Sequence, residues 1–356
     1  MIEFEYPFWA WLTFFGVLFA ALFVDIGIVN RGAKAPSRKQ TVIWSFIWVS
    51  LALAFNAFVY WVVSGLHDQT TAFFKAKEFF TGYLIELSLS IDNLFVFLLI
   101  FKYFKVPKKY QHRVLFWGIL MAMVMRLVMI FAGAQLVESF NWILYFFGAF
   151  LIYTGISMFG EDEAFEPENS SIIKLTTKYV RIARHYDDER FFVTIDGKRT
   201  GTLLLLVMIV INVADLVFAV DSIPAIFGIT TDKFIVYTSN IFAILGLRTF
   251  YFLLADLAER FHLLKYGLAF VLSFIGFKML LPLFAQGLIM IYGADSSSAF
   301  VTLVRRYEAH EFEHLIINVS LAVVIGAILL AVVLSLIFPP KPSQETHNSK
   351  DPSHGR

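Results

Sequence analysis

Two stretches of this chain are apolar enough to cross a bilayer and yet carry carboxylates in their middles. They are TGYLIELSLSIDNLFVFLLIF at residues 81–101 and LLLLVMIVINVADLVFAVDSIPAIF at residues 203–227. Glu86 and Asp92 lie six positions apart in the first, and Asp215 and Asp221 lie six apart in the second. An ionisable side chain at membrane depth is costly, and it persists where it faces a bundle interior or a wet cavity and meets another ion. The two stretches are therefore read as the walls of one cation pathway.

The rest of the chain supports a membrane reading. Hydrophobic residues make up 58% and charged residues only 16%, too apolar a balance for a soluble chain of 356 residues. Runs that fit the ~30 Å hydrocarbon core fall at 14–29, 42–63, 83–101, 114–132, 142–159, 203–220, 234–254, 266–281 and 315–338. The expected fold is an all-α polytopic bundle of about nine spans. The first run follows acidic residues, Glu3 and Glu5, and precedes basic ones, so it reads as a retained span and not as a cleaved signal.

Charge is distributed unevenly along the chain. With alternating spans, the loops on one side together with the C-terminal tail hold 21 of the 29 Lys and Arg, and the other side holds five. The positive-inside rule places the N-terminus outside and the C-terminus in the cytoplasm. The remaining three, Arg126, Arg248 and Lys278, lie inside apolar runs.

Those three expose an internal repeat. Arg126 lies 34 positions after Asp92 and Arg248 lies 27 after Asp221, and Gly155 and Gly276 follow the two arginines by 29 and 28. Each copy has three spans, so the second must run in the opposite sense, the architecture that places a transporter's site near the midplane. Chance similarity between apolar helices is the competing reading. The expected organisation is two flanking spans at 1–80, a first three-helix repeat at 81–159 and a cytoplasmic loop with a hairpin at 160–202. A second repeat at 203–283, an external segment and last span at 284–338, and a disordered tail at 339–356 complete it. Within the loop, 172–185 fits a short amphipathic helix, and 191–202 fits a β-hairpin turning at Asp196-Gly197.

The ligands on offer at membrane depth are oxygens: Glu86, Asp92, Asp215 and Asp221, the amides of Asn93 and Asn212, and the hydroxyls of Ser90 and Ser222. Pro224 cannot donate to the carbonyl of Val220, which leaves a further oxygen beside Asp221. With no histidine or cysteine in the expected spans, the set suits a hard divalent cation and argues against copper(I) or a thiolate zinc site. Arg126, Arg248 and Lys278 are expected to pair with these acids in the empty site. A static bundle held by the same pairs is the alternative. Asp25 reads as an interfacial acid near Arg31 or as an extra ligand. The absence of cysteine excludes disulfides and thiol chemistry. Met121, Met123, Met125 and Met129 read as packing. His310 and His314 form an HExxH pattern at the outer mouth of the last span without an obvious third ligand, and His112, His185 and His262 read as solvated loop residues.

The segments TGYLIELSLSIDNLFVF, WILYFFGAFLIYTG, DLVFAVDSIPAIF, TSNIFAILGLRTFYFLL and ERFHLLKYGLAFVLSFIGFKML resemble the TerC family of integral membrane proteins, most closely its Alx-like branch. The resemblance covers the third to eighth spans. It implies export of Mn²⁺ and a role in metal homeostasis, and it places the family's intramembrane acids on Glu86, Asp92, Asp215 and Asp221. Where relatives often carry a glutamate ahead of the second motif, this chain has Asn212, which keeps an oxygen but removes a titratable charge. The expected function is a transporter, not an enzyme, that exports divalent cations, Mn²⁺ foremost, in exchange for protons, from a bacterial inner membrane. No tightly bound cofactor and no nucleic-acid partner are expected. The alternative is a non-transporting scaffold that helps insert or metallate other proteins.

Overall fold

A computed structural model of the chain describes residues 5–27, 38–140, 142–159, 181–183, 185–195, 197–255, 263–292 and 313–338. Among the described residues the elements are α1 (Phe8–Gly27), α2 (Arg38–Leu66), α3 (Gln69–Tyr103), α4 (Lys108–Ser139), α5 (Ile143–Ser157), β1 (Phe192–Ile195), β2 (Lys198–Gly201), α6 (Leu203–Phe227), α7 (Lys233–Leu245), α8 (Leu247–Ala255), α9 (Leu264–Tyr292) and α10 (Glu313–Ile337). Seven of these helices are long and apolar enough to cross a membrane, and the pair α7–α8, bent by 43°, makes an eighth if it is counted as one span. α5 is equally apolar but has only 15 residues. Large apolar side chains such as Phe23, Phe46 and Tyr153 stand 70% or more exposed on the perimeter, a surface that suits lipid and not water. The chain is an all-α multi-pass membrane bundle.

α3 is the hub, packing against α2, α6, α7, α8, α9 and α10. Its 35 residues begin well before the apolar run at 83–101, so the repeat boundary expected at residue 80 falls inside a continuous helix. The extra turns carry Lys75, Lys77 and Glu78, which a hydropathy window rejects. They remain helical because Asp68 caps the N-terminus, accepting from the Thr71 amide at 3.0 Å and the Thr71 hydroxyl at 2.6 Å. Those bonds hold the Asp68 carboxyl down at about 2.

α5 and α9 approach each other most closely through glycine. A Cβ on Gly276 would lie 2.5 Å from the carbonyl oxygen of Gly148, and one on Gly148 would lie 2.9 Å from that of Gly276. Both obstacles are backbone, so neither can yield as a side chain would. Gly276→Ala is expected to lose about 1–3 kcal/mol of stability through overpacking. Gly16→Ala, with no atom within 4 Å, is expected to gain up to about 1 kcal/mol of helix propensity. Thermal unfolding of the two purified variants in detergent measures both, and equal melting temperatures would contradict the close approach.

β1 and β2 pair antiparallel from Phe192↔Gly201 to Ile195↔Lys198, with Gly197 in the turn at φ 71°, a conformation glycine adopts without strain. Ile182 bridges to Gly201, so the chain is extended there and a helix reaching residue 185 is ruled out; residues 172–180 lie outside the described residues. The hairpin leads straight into α6. It is tied to the ends of α3 and α4, where the Tyr186 hydroxyl donates to the Phe104 carbonyl at 2.7 Å and Arg113 faces Glu189 at 3.4 Å. At the opposite end of the bundle, Lys75 lies 2.9 Å from Glu78 and 3.2 Å from Asp232, and the Thr230 hydroxyl donates to Glu78 at 2.8 Å. Burial there, aided by Asp232 and Glu78, pushes the Tyr6 hydroxyl well above its usual range.

Candidate functional site

The middle of the bundle is organised by Arg126, the largest fully buried side chain described. It projects from α4 between the two acidic helices. One terminal nitrogen, Nη1, bonds Glu86 Oε1 on α3 and donates to Ser222 Oγ on α6 and Asn240 Oδ1 on α7, both at 3.2 Å. The other, Nη2, reaches Asp215 Oδ1 on α6 at 3.5 Å. The Ser90 hydroxyl, one turn along α3, donates to Glu86 Oε1 at 3.0 Å. Glu86 Oε2 and Arg126 Nε are buried with no partner among the described residues.

Helical spacing explains the convergence. Glu86 and Ser90 are four apart and Asp215 and Ser222 seven apart, so each pair shares a helix face at 3.6 residues per turn. α3 packs on α6, α4 on α6 and α7, and α3 on α7, which closes these four helices around the arginine. Two carboxylates share a single guanidinium, leaving the described groups with one excess negative charge.

Asn93 is buried on α3. Asn212 turns its amide nitrogen back to the Met208 carbonyl at 2.8 Å and leaves Oδ1 buried without a partner among the described residues. The side chains of Asp92 and Asp221 lie outside the described residues, as do His310 and the side chain of His314. Arg248 does not join the central cluster: it bonds the carboxylate and the carbonyl of Asp25, the latter at 3.2 Å, a partner 223 residues away on α1. Asp25 is accordingly buried, tied to α8 through Arg248, while Arg31 lies outside the described residues. Lys278 Nζ donates to the Gly228 carbonyl at 3.1 Å. His112, expected in a solvated loop, lies on α4 with its ring 6.4 Å from that of Phe252. Among the described residues no group of three or more His, Asp or Glu side chains is placed to hold a metal ion.

Asn240 went unnoticed in the sequence. Its signal was the run Thr238-Ser239-Asn240, three polar residues inside an apolar span, all of them fully buried.

Comparison with known proteins places these features in context. A family profile described as "Integral membrane protein TerC family" matches residues 72–343. The protein named "Putative membrane-bound redox modulator Alx" in Escherichia coli (strain K12) is 43% identical over 91% of this chain and 93% of its own length. Its namesake in Salmonella typhi is 44% identical over the same shares. A membrane protein of Myxococcus xanthus, STKORF319, is 42% identical over 84% of this chain and 93% of its own length. No solved structure matches the chain significantly.

Proposed function

The chain belongs to the TerC family of integral membrane proteins, and on that premise we propose that it is a secondary transporter that exports a hard divalent cation, Mn²⁺ foremost, across a bacterial inner membrane, with its C-terminus in the cytoplasm. The observation that carries the reading is the central cluster, where carboxylates from two different helices converge on one guanidinium and Glu86 keeps a buried oxygen without a partner among the described residues. Ionisable groups gathered at membrane depth are by default a functional-site candidate. A carrier needs the guanidinium, because a site that releases its cargo must keep its acids compensated when empty. In this mechanism Arg126 neutralises Glu86 and Asp215 between cycles, and the arriving cation displaces it. Protons are the proposed exchanged ion.

Packing supports the inverted repeat. If α3–α5 correspond to α6–α9, with α4 matched to the bent pair α7–α8, exchanging the copies turns the α3–α7 contact into the α6–α4 contact. It likewise turns α5–α6 into α9–α3, and all four contacts occur. The two glycines of the α5–α9 approach sit in the third helix of each copy. The redox role in the relatives' name finds no thiol here, since the chain has no cysteine.

Flux into sealed vesicles holding the purified protein tests the proposal, with Mn²⁺, Ca²⁺, Mg²⁺ and Zn²⁺ compared with and without a proton gradient. Gradient-sensitive Mn²⁺ movement is expected, and Glu86→Ala should reduce it at least a hundredfold without preventing insertion. The scaffold reading is favoured by the exposed Phe192 and Ile195 on the hairpin. It predicts instead that folded wild-type protein moves no ion and that deleting residues 160–200 abolishes function.

A further inference from the structure

Asn240 is the uncharged member of the central cluster with the most fixed geometry. It comes from α7, whose sequence KFIVYTSNIFAIL holds no carboxylate, and it is 0% exposed. Its neighbours spend their hydroxyls on their own helix: Thr238 donates to the Phe234 carbonyl at 2.6 Å and Ser239 to the Val236 carbonyl at 3.3 Å. Asn240 behaves differently. Its Nδ2 donates to the Val236 carbonyl at 3.1 Å, and that bond fixes the amide plane so that Oδ1 is presented to Arg126 Nη1 at 3.2 Å. A buried amide in an apolar helix costs free energy unless both ends are used, and here the oxygen end is used on the Arg126 guanidinium.

The groups gathered at Arg126 are two carboxylates, one hydroxyl and one amide carbonyl, drawn from α3, α6 and α7. That is the donor set of a hard divalent cation, already assembled around a positive charge. Beside it lies Glu86 Oε2, buried and without a partner among the described residues. We infer that the Arg126 guanidinium holds the place of the transported cation and that Asn240 Oδ1 is a neutral ligand of that cation when the arginine withdraws. The inference rests on the transport reading and adds a third helix, α7, to a site otherwise built from α3 and α6. Oxygens 3.2–3.5 Å from the guanidinium nitrogens have to close in by roughly 1 Å to reach the distances of a bound divalent ion.

The test compares wild type, Asn240→Ala and Asn240→Asp as full-length purified proteins, measuring Mn²⁺ binding in detergent and the concentration dependence of Mn²⁺ flux in vesicles. Asn240→Ala is expected to raise the half-saturating Mn²⁺ concentration about tenfold while changing the maximal rate less. Asn240→Asp retains the oxygen and adds charge, so it is expected to bind Mn²⁺ at least as tightly as wild type and to alter the ranking of Mn²⁺, Mg²⁺ and Ca²⁺. A role confined to packing would leave that ranking unchanged. Wild-type transport with unchanged half-saturation in folded Asn240→Ala, or with an unchanged ranking in Asn240→Asp, overturns the ligand assignment and leaves the transport reading standing. Wild-type protein that neither binds nor moves Mn²⁺ overturns both. If Asn240→Ala does not fold, Asn240→Asp decides alone.

Discussion

Arg126→Leu is expected to lose about 3–5 kcal/mol of stability in metal-free detergent, and added Mn²⁺ is expected to restore more of that loss than it adds to wild type. The first half follows from burial. The side chain is 0% exposed, and its removal strands Glu86 and Asp215, which share it, together with the acceptors on Ser222 and Asn240. Two carboxylates without a counter-charge in a low-dielectric interior are among the costliest local defects a bundle can carry. The second half follows from the proposed exchange. In wild type an arriving cation must displace the guanidinium, whereas in the variant it fills a place already vacant. A ligand present at 100 times its dissociation constant stabilises by about 2.7 kcal/mol, a shift that thermal unfolding resolves. Equal stabilisation of both proteins by Mn²⁺ would show that the arginine and the cation do not share a place. The same variant should be almost inactive in transport, because it cannot refill the empty site between cycles.

Most of the fold was legible because it rests on local physics. The described part of each expected apolar run lies on or around a helix or the bent pair, since a long apolar run has few alternatives in lipid. α5, at 15 residues, is nonetheless shorter than the other candidate spans, which number seven, or eight with the bent pair, where nine were expected. The half of the site that follows from helical periodicity was legible too: Glu86 with Ser90, and Asp215 with Ser222, each on one face. Charge pairing was not. Symmetry between the copies suggests that Arg248 serves the central acids as Arg126 does, but Arg248 lies beyond the 43° bend, on α8, which packs against α2. From there it meets Asp25, 223 residues away, a pairing fixed by tertiary geometry alone. Asn240 was missed for a related reason. A neutral amide in an apolar span carries no charge signal, and only the packing of α7 against α3 and α4 reveals which oxygen it offers. The length of α3 was underestimated because Lys75 and Glu78 are polar yet turned toward the Asp232 and Thr230 end of α7, where hydropathy registers a loop.

Arg248→Leu is expected to cost about 3–5 kcal/mol as a single substitution, and Asp25→Leu with Arg248→Leu together are expected to return to within about 1–2 kcal/mol of wild type. The pair is buried, with Arg248 2% and Asp25 8% exposed, so losing either partner leaves the other as an uncompensated charge between α1 and α8. Removing both replaces an ion pair by apolar contact, which costs little and in many proteins stabilises. Arg248 Nη1 is buried without a partner among the described residues, so part of that desolvation goes unrewarded already. The double-mutant cycle should therefore show a coupling well above 1 kcal/mol, measured by chemical or thermal unfolding in detergent. Transport sets this pair apart from the central one. Arg126 is held by carboxylates on two different helices and is expected to exchange with cargo, whereas Arg248 is held by one residue that also supplies its backbone carbonyl, as a clamp would be. The double variant should consequently transport at a rate within a few fold of wild type, while no combination of apolar replacements at Glu86, Asp215 and Arg126 should. A folded, stable double variant without transport would move Asp25 and Arg248 from scaffold to cation path and require the site to extend to the bend at Gly246.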